Sequence, residues 1–213
     1  VMDVGEKTGR VQRLQRLVDI GGRKMHIDCR GQGFPIVVLE AGLDTNGTLA
    51  WSAVHDKIAA TTRTCAYDRA GVMWSQDKPG PHDADGVARD LHALLQAAGE
   101  KGPFVMVGHS LGGPYIMDFT RQYPADVAGL VFVDASHPDQ VTRFKAINPN
   151  MPATIPQGPV LMSKLTWLGW TRIPTPDPPT PNVSRKMILE SKAYMATSLP
   201  AAMNEGVELD HSL

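Results

Sequence analysis

Phe104-Val105-Met106-Val107-Gly108-His109-Ser110-Leu111-Gly112-Gly113 is the stretch on which the reading of this chain turns. A short apolar run, punctuated at its start by Gly102 and Pro103, breaks into Gly108-His109-Ser110-Leu111-Gly112, the pattern Gly-x-Ser-x-Gly. The run predicts a strand, and Tyr115-Ile116-Met117-Asp118-Phe119 behind it carries apolar residues at near-helical spacing. A serine hydroxyl is a poor nucleophile in a flexible, hydrated setting, and a sharp strand-to-helix turn between small residues takes it out of that setting. With 20 glycines and 9 serines in 213 residues, composition alone gives such a match in roughly one chain in twelve, so the flanking elements carry the weight. Against them stands the plainer reading of a glycine-rich turn with an incidental serine.

Bulk properties bound the rest. At 42% hydrophobic and 20% charged, 213 residues suffice for one sizeable core. The formal charge is −1 and lysine and arginine do not gather on one segment, which argues against a nucleic-acid partner and for a small neutral or weakly charged ligand. No stretch approaches the apolar length needed to span a bilayer. The chain opens on Val1 with a polar segment through Arg16, and because the first residue is valine we expect that an upstream portion has been removed; export, to a periplasm for instance, and a cytoplasmic location both stay open. Cys29 and Cys65 lie near the ends of two separate strand candidates and read equally as small buried apolar residues or as a bridge between neighbouring strands. Cysteine and histidine do not cluster at ligand spacing, so neither a metal nor another cofactor is expected.

Along the chain, strand signals at Met25–Cys29, Ile36–Leu39, Arg63–Tyr67, Phe104–Val107 and Gly129–Val133 alternate with helix signals near Thr48–Ala60, Ala84–Ala98 and Gly113–Gln122. Continuous apolar runs such as Pro35-Ile36-Val37-Val38-Leu39 and Gly129-Leu130-Val131-Phe132-Val133 suit strands buried on both faces. The expected fold class is therefore α/β, a mostly parallel, doubly wound sheet. Reactive loops then belong at the carboxyl ends of the strands, where Leu43, Asp68, Ser110 and Asp134 fall. From Pro138 the texture changes: Pro149, Pro152, Pro156, Pro159, Pro174, Pro176, Pro178, Pro179 and Pro181 punctuate a segment holding Met151, Met162, Trp167 and Trp170. We read it as an inserted helical cap with helices near Val160–Trp170 and Asn182–Met195 around a proline-rich linker. The domain reading is a core over 1–137, a cap over 138–205, and the start of a return to the core over 206–213.

These residues resemble the α/β-hydrolase superfamily, in its capped branch with a serine nucleophile, over Arg16 to His137. Besides Gly-His-Ser-Leu-Gly-Gly, Val37-Val38-Leu39-Glu40-Ala41-Gly42-Leu43 looks like the family's third strand and oxyanion loop, with Ala41 where histidine is common. Cys65-Ala66-Tyr67-Asp68-Arg69-Ala70-Gly71-Val72-Met73-Trp74-Ser75 resembles the turn after its fourth strand, with Met73 in place of a frequent glycine. The resemblance implies hydrolysis of a small-molecule carboxylic ester through an acyl-enzyme on Ser110. The oxyanion would be met by the backbone N–H groups of Leu43 and Leu111, and Asp134 would orient the base. Asp139 is a weaker rival for the acid, and Asp68 reads as a turn-former.

The family order Ser, acid, His leaves the base without a place in this chain. His26, His55, His82 and His92 precede Ser110, His109 abuts it, and His137 follows Asp134 too closely. His211 comes last, but Val207-Glu208-Leu209-Asp210-His211 reads as helix, without the strand that should precede a catalytic histidine. We therefore expect the catalytic histidine beyond Leu213, supplied by a complementary carboxyl-terminal segment or chain. A non-catalytic relative that binds a small ligand, or an inactive fragment, is the competing reading.

Overall fold

Residues of alternating parity along the central strands point to opposite sides of one sheet, and each side meets its own helical layer. This is seen in a computed structural model of the chain, which describes residues 14–150, 157–168, 170 and 185–212. Six strands, β1 Leu14–Asp19, β2 Lys24–Arg30, β3 Ile36–Glu40, β4 Thr64–Tyr67, β5 Phe104–His109 and β6 Val127–Val133, form a sheet of order β1-β2-β4-β3-β5-β6. Pairings β1/β2 and β2/β4 are antiparallel, whereas β4/β3, β3/β5 and β5/β6 are parallel. The expected α/β class, with its mostly parallel sheet, is what the chain adopts.

On one face Ile36, Val38, Cys65, Tyr67, Phe104 and Met106 pack against two helices, α2 Ala84–Ala98 and α3 Gly112–Gln122. On the other, Val37, Leu39, Ala66 and Val107 meet Trp51 and Ile58. Each side chain as fully buried as Leu39, Leu94 or Met106 contributes on the order of 2–3 kcal/mol. Helix α2 follows its sequence closely: Asp83 caps it by accepting the Gly86 N–H at 2.7 Å, and Gly99 ends it with φ 78°.

Several elements depart from the expected boundaries. The helix anticipated over Thr48–Ala60 is a 3-10 turn, Gly47–Trp51, followed by the short α1 His55–Ala59; bonds from Leu49 N–H to Asn46 O and from Ser52 N–H to Leu49 O keep the first part in the tighter form. Strand β1 arises in the polar opening segment because it pairs β2 throughout, and Asp19 Oδ1 closes the hairpin by accepting from Gly21 and Gly22 at 2.8 and 3.0 Å. Helix α4 Gln140–Ile147 lies in the proline-punctuated region, ahead of α5 Gln157–Lys164 and a 3-10 turn Thr166–Leu168.

The last helix, α6 Arg185–Ser212, runs past the expected end at Met195 and through Pro200. A proline has no N–H to offer the carbonyl four residues earlier. Thr166 Oγ1 donates to that carbonyl, of Ala196, at 2.8 Å, so the bond lost within α6 is replaced from the neighbouring turn. The boundary expected at 205/206 falls inside this helix. Met151, Pro152, Pro156 and the linker prolines from Pro174 to Pro181 lie outside the described residues, as does the His211 side chain.

Cys29 and Cys65 are opposed across β2 and β4 and form a disulfide, both buried at 1% exposure. They also stand with Glu100 as the described grouping of metal-ligand types. The sulfurs are taken by each other, and Glu100 by Arg63 at 2.6 Å. Among the described residues, β6 pairs with a strand on one side only, and its Val131, Phe132 and Val133 are 40 to 50% exposed, so the burial on both faces expected of the run Gly129–Val133 is not what this edge strand shows.

Candidate active site

Three non-glycine residues among those described take a left-handed backbone: Met73 (φ 47°), Ser110 (φ 51°) and Asp134 (φ 43°). Such a conformation costs on the order of 1–3 kcal/mol and persists only where the surroundings enforce it. At Ser110 they do. Its N–H donates to Val133 O at 3.3 Å, and its carbonyl accepts from Gly113 and Ser136 at 3.0 and 2.9 Å. The turn between β5 and α3 is thus held to β6 on one side and to the first turn of the helix on the other.

The flanking glycines answer to close backbone approach. A Cβ at Gly108 would lie 2.5 Å from the Gly112 carbonyl oxygen, and one at Gly112 would lie 2.5 Å from that of Glu40. A Cβ at Gly113 would meet that of Ala135 at 2.7 Å. Gly42, in the loop after β3, is pressed against the serine itself, for its Cβ would stand 2.9 Å from Ser110 Cβ. The structure therefore brings the loop at Gly42 and the turn at Ser110 together. The Ser110 hydroxyl and the N–H groups of Leu43 and Leu111 make no hydrogen bond among the described residues.

Asp134 follows β6 directly and is exposed, its carboxylate without a partner among the described residues. The histidines are engaged elsewhere or turned outward. His26 Nδ1 lies 2.8 Å from Asp68, buried His55 contacts Thr64 O at 3.1 Å, His92 reaches Asp126 at 3.2 Å, and His82 lies 3.3 Å from Asp77. His137 Nδ1 accepts the Asp139 N–H at 3.0 Å, and exposed His109 meets Trp51 edge-on at 6.4 Å. Burial pushes the His55 imidazole below its usual range, which keeps it neutral. Asp68 is a turn-former, as anticipated: fully buried, it accepts the Thr48 N–H at 2.6 Å and the Trp74 N–H at 3.4 Å.

Behind the loop lies a charged cluster that the sequence did not announce. Arg69 Nη1 donates to Glu40 Oε1 at 2.7 Å and to Ala41 O at 2.8 Å, Nη2 to Gly42 O at 2.6 Å, and Nε to Glu205 Oε1 of α6 at 2.9 Å. Its guanidinium lies 5.1 Å from the Tyr115 ring centroid, and Tyr67 donates its hydroxyl to Glu40. All five side chains are buried. Burial pushes the Glu40 carboxyl up to about 7, with Arg69 pulling the other way. A sequence signal was present only as a carboxylate ending an apolar strand, Ile36-Val37-Val38-Leu39-Glu40, and an arginine directly after Asp68.

Residues 24–206 match the model of the alpha/beta hydrolase family, and the chain belongs to that family. It is 32% identical over 157 residues to the probable transporter efuK of Hormonema carpetanum, a match that takes in 70% of this chain and 21% of that one. Among solved structures it superposes on the epoxide hydrolase CorEH with a TM-score of 0.62 at 22% identity, covering 91% of this chain and 72% of that one. A serine hydrolase involved in carbazole degradation, the CarC enzyme, gives 0.59 at 18%, covering 90% and 69%. The chain spans about a fifth and two fifths of the lengths of the first two curated relatives it matches.

Proposed function

We propose that the protein is a serine hydrolase that cleaves a small-molecule carboxylic ester through an acyl-enzyme on Ser110. The observation that carries this reading is the strained Ser110 turn, packed at its Cβ against Gly42, with its hydroxyl and the Leu43 and Leu111 amides unengaged among the described residues. In the reaction Ser110 Oγ adds to the ester carbonyl while a histidine base takes its proton. The tetrahedral oxyanion is met by the Leu43 and Leu111 N–H groups, each worth about 3–4 kcal/mol where such donors have been removed. The C–O bond then breaks, the alcohol leaves with the proton held by the base, and water reverses the sequence on the acyl-enzyme. Asp134, exposed and unpartnered at the end of the strand beside the elbow, serves as the acid that orients the histidine. The histidine that serves as the base is not among those whose contacts are described above.

Residues 138–205 act as the cap, in keeping with α4 to α6 following the last strand. The Cys29–Cys65 disulfide favours an oxidising compartment. Among the described residues no histidine bonds the Ser110 hydroxyl, and that observation favours the second reading, a non-catalytic ligand-binding relative.

A fluorophosphonate probe read by intact mass, with p-nitrophenyl acetate turnover alongside, separates the two. The hydrolase takes up one adduct on Ser110, and Ser110→Ala loses both the adduct and at least about a thousandfold in kcat. A folded protein that takes no adduct and turns over no ester is the binding protein instead.

A further inference from the structure

We infer that Arg69 is a positioning residue for the oxyanion hole, holding the Gly42–Leu43 peptide so that the Leu43 N–H faces the reacting carbonyl; the inference rests on Ser110 being the nucleophile. A peptide unit is planar, and in the trans form its C=O and N–H point in opposite directions. The Gly42–Leu43 bond is trans. Arg69 Nη2 binds the Gly42 carbonyl at 2.6 Å, and Nη1 binds the preceding Ala41 carbonyl at 2.8 Å. With both carbonyls turned to the guanidinium, the N–H of Leu43 is turned away from it, and the same residue, Gly42, abuts Ser110. Without those two bonds, a glycine in a loop would be free to rotate this peptide, placing a carbonyl oxygen where the oxyanion should be received.

The guanidinium is itself fixed from two sides. Glu40, at the end of β3, takes Nη1 at 2.7 Å, and Glu205, from α6, takes Nε at 2.9 Å. Glu40 and Glu205 are 1% and 0% exposed, so neither exchanges its partner for water. The planar fork of arginine serves Glu205, Glu40 and two carbonyls at once, which the single ammonium of lysine cannot. Glu205 makes the arrangement depend on α6 being docked: the oxyanion loop is braced by a helix distant from it in the chain.

Arg69→Lys keeps the buried charge and removes the fork. In the full protein we expect kcat on an ester substrate to fall by roughly a hundredfold to a thousandfold, the effect of losing one oxyanion donor. KM should stay within about threefold, since the donor that is lost acts on the transition state rather than on the bound substrate. A crystal structure of the variant should show the Gly42–Leu43 peptide rotated. If Arg69→Lys does not fold, the neutral triple variant Arg69→Met, Glu40→Gln, Glu205→Leu is measured in the same way. A kcat within threefold of wild type, or a variant structure with the peptide unmoved, overturns the inference. A wild-type protein inert to esters and to fluorophosphonate sinks the hydrolase reading and this inference with it, whereas an active wild type with an unaffected Arg69→Lys variant sinks this inference alone.

Discussion

Glu40 sits at the end of a strand with its carboxylate in the interior, and its protonation follows from that position. Removal from water outweighs the attraction of Arg69, so the carboxyl that titrates near 4.5 in an unfolded chain titrates at about 7 here. Between those values the folded state holds a proton that the unfolded state has released. Linkage then makes this contribution to stability full below about 4.5 and lost as pH rises through about 7. In thermal melts taken from pH 4.5 to 8, wild type should therefore lose stability relative to Glu40→Gln as the pH rises. Parallel curves for the two proteins would show that Glu40 does not titrate in this window.

At the scale of elements, α6 shows how a sequence signal is overruled. Pro200 would ordinarily end or kink a helix, and Thr166 offsets it by bonding the carbonyl that Pro200 leaves without a donor. The helix docks through further single contacts: Ser198 Oγ accepts the Met73 N–H at 2.8 Å, Ala201 packs on Val72 and Met73, and Glu205 takes Arg69. Met73 is where the loop turns left-handed, so the bond from α6 steadies a backbone that a glycine would adopt without cost. Thr166→Val, which keeps the shape and removes the hydroxyl, should destabilise the protein by about 1–3 kcal/mol through the unsatisfied Ala196 carbonyl. Hydrogen exchange should show lost protection concentrated in α6. Uniform loss across the sheet, or none, would remove Thr166 from this role.

For the molecule as a whole, the disulfide ties the antiparallel side of the sheet to its parallel centre. Closing a loop of 36 residues restricts the unfolded chain by an amount worth about 4 kcal/mol in the chain-entropy model, with measured cases commonly at 2–4. Cys29→Ala with Cys65→Ala should lower the denaturant midpoint by a corresponding amount while leaving Ser110 as reactive to fluorophosphonate as before, since neither cysteine touches the elbow. An unchanged midpoint would mean that the pair contributes no constraint. At the opposite edge β6 lacks a second neighbour among the described residues and presents half-exposed Phe132.

The sequence by itself determined the elements whose cause is local. The β5–Ser110–α3 turn, the buried strand β3 and the extent of α2 were all legible, because glycine spacing and apolar runs act within a few residues. The sequence also made the approach of the Gly42 loop to Ser110 an expectation. What it left open was contact between distant residues. Cys29 and Cys65 became a bridge only when β2 and β4 were found side by side. Arg69, Glu40 and Glu205 read as unrelated charges until α6 and the loop after β4 closed over the carbonyls of Ala41 and Gly42. Tertiary structure decided these because burying a charge demands a partner, and the partner is chosen by packing rather than by position in the chain.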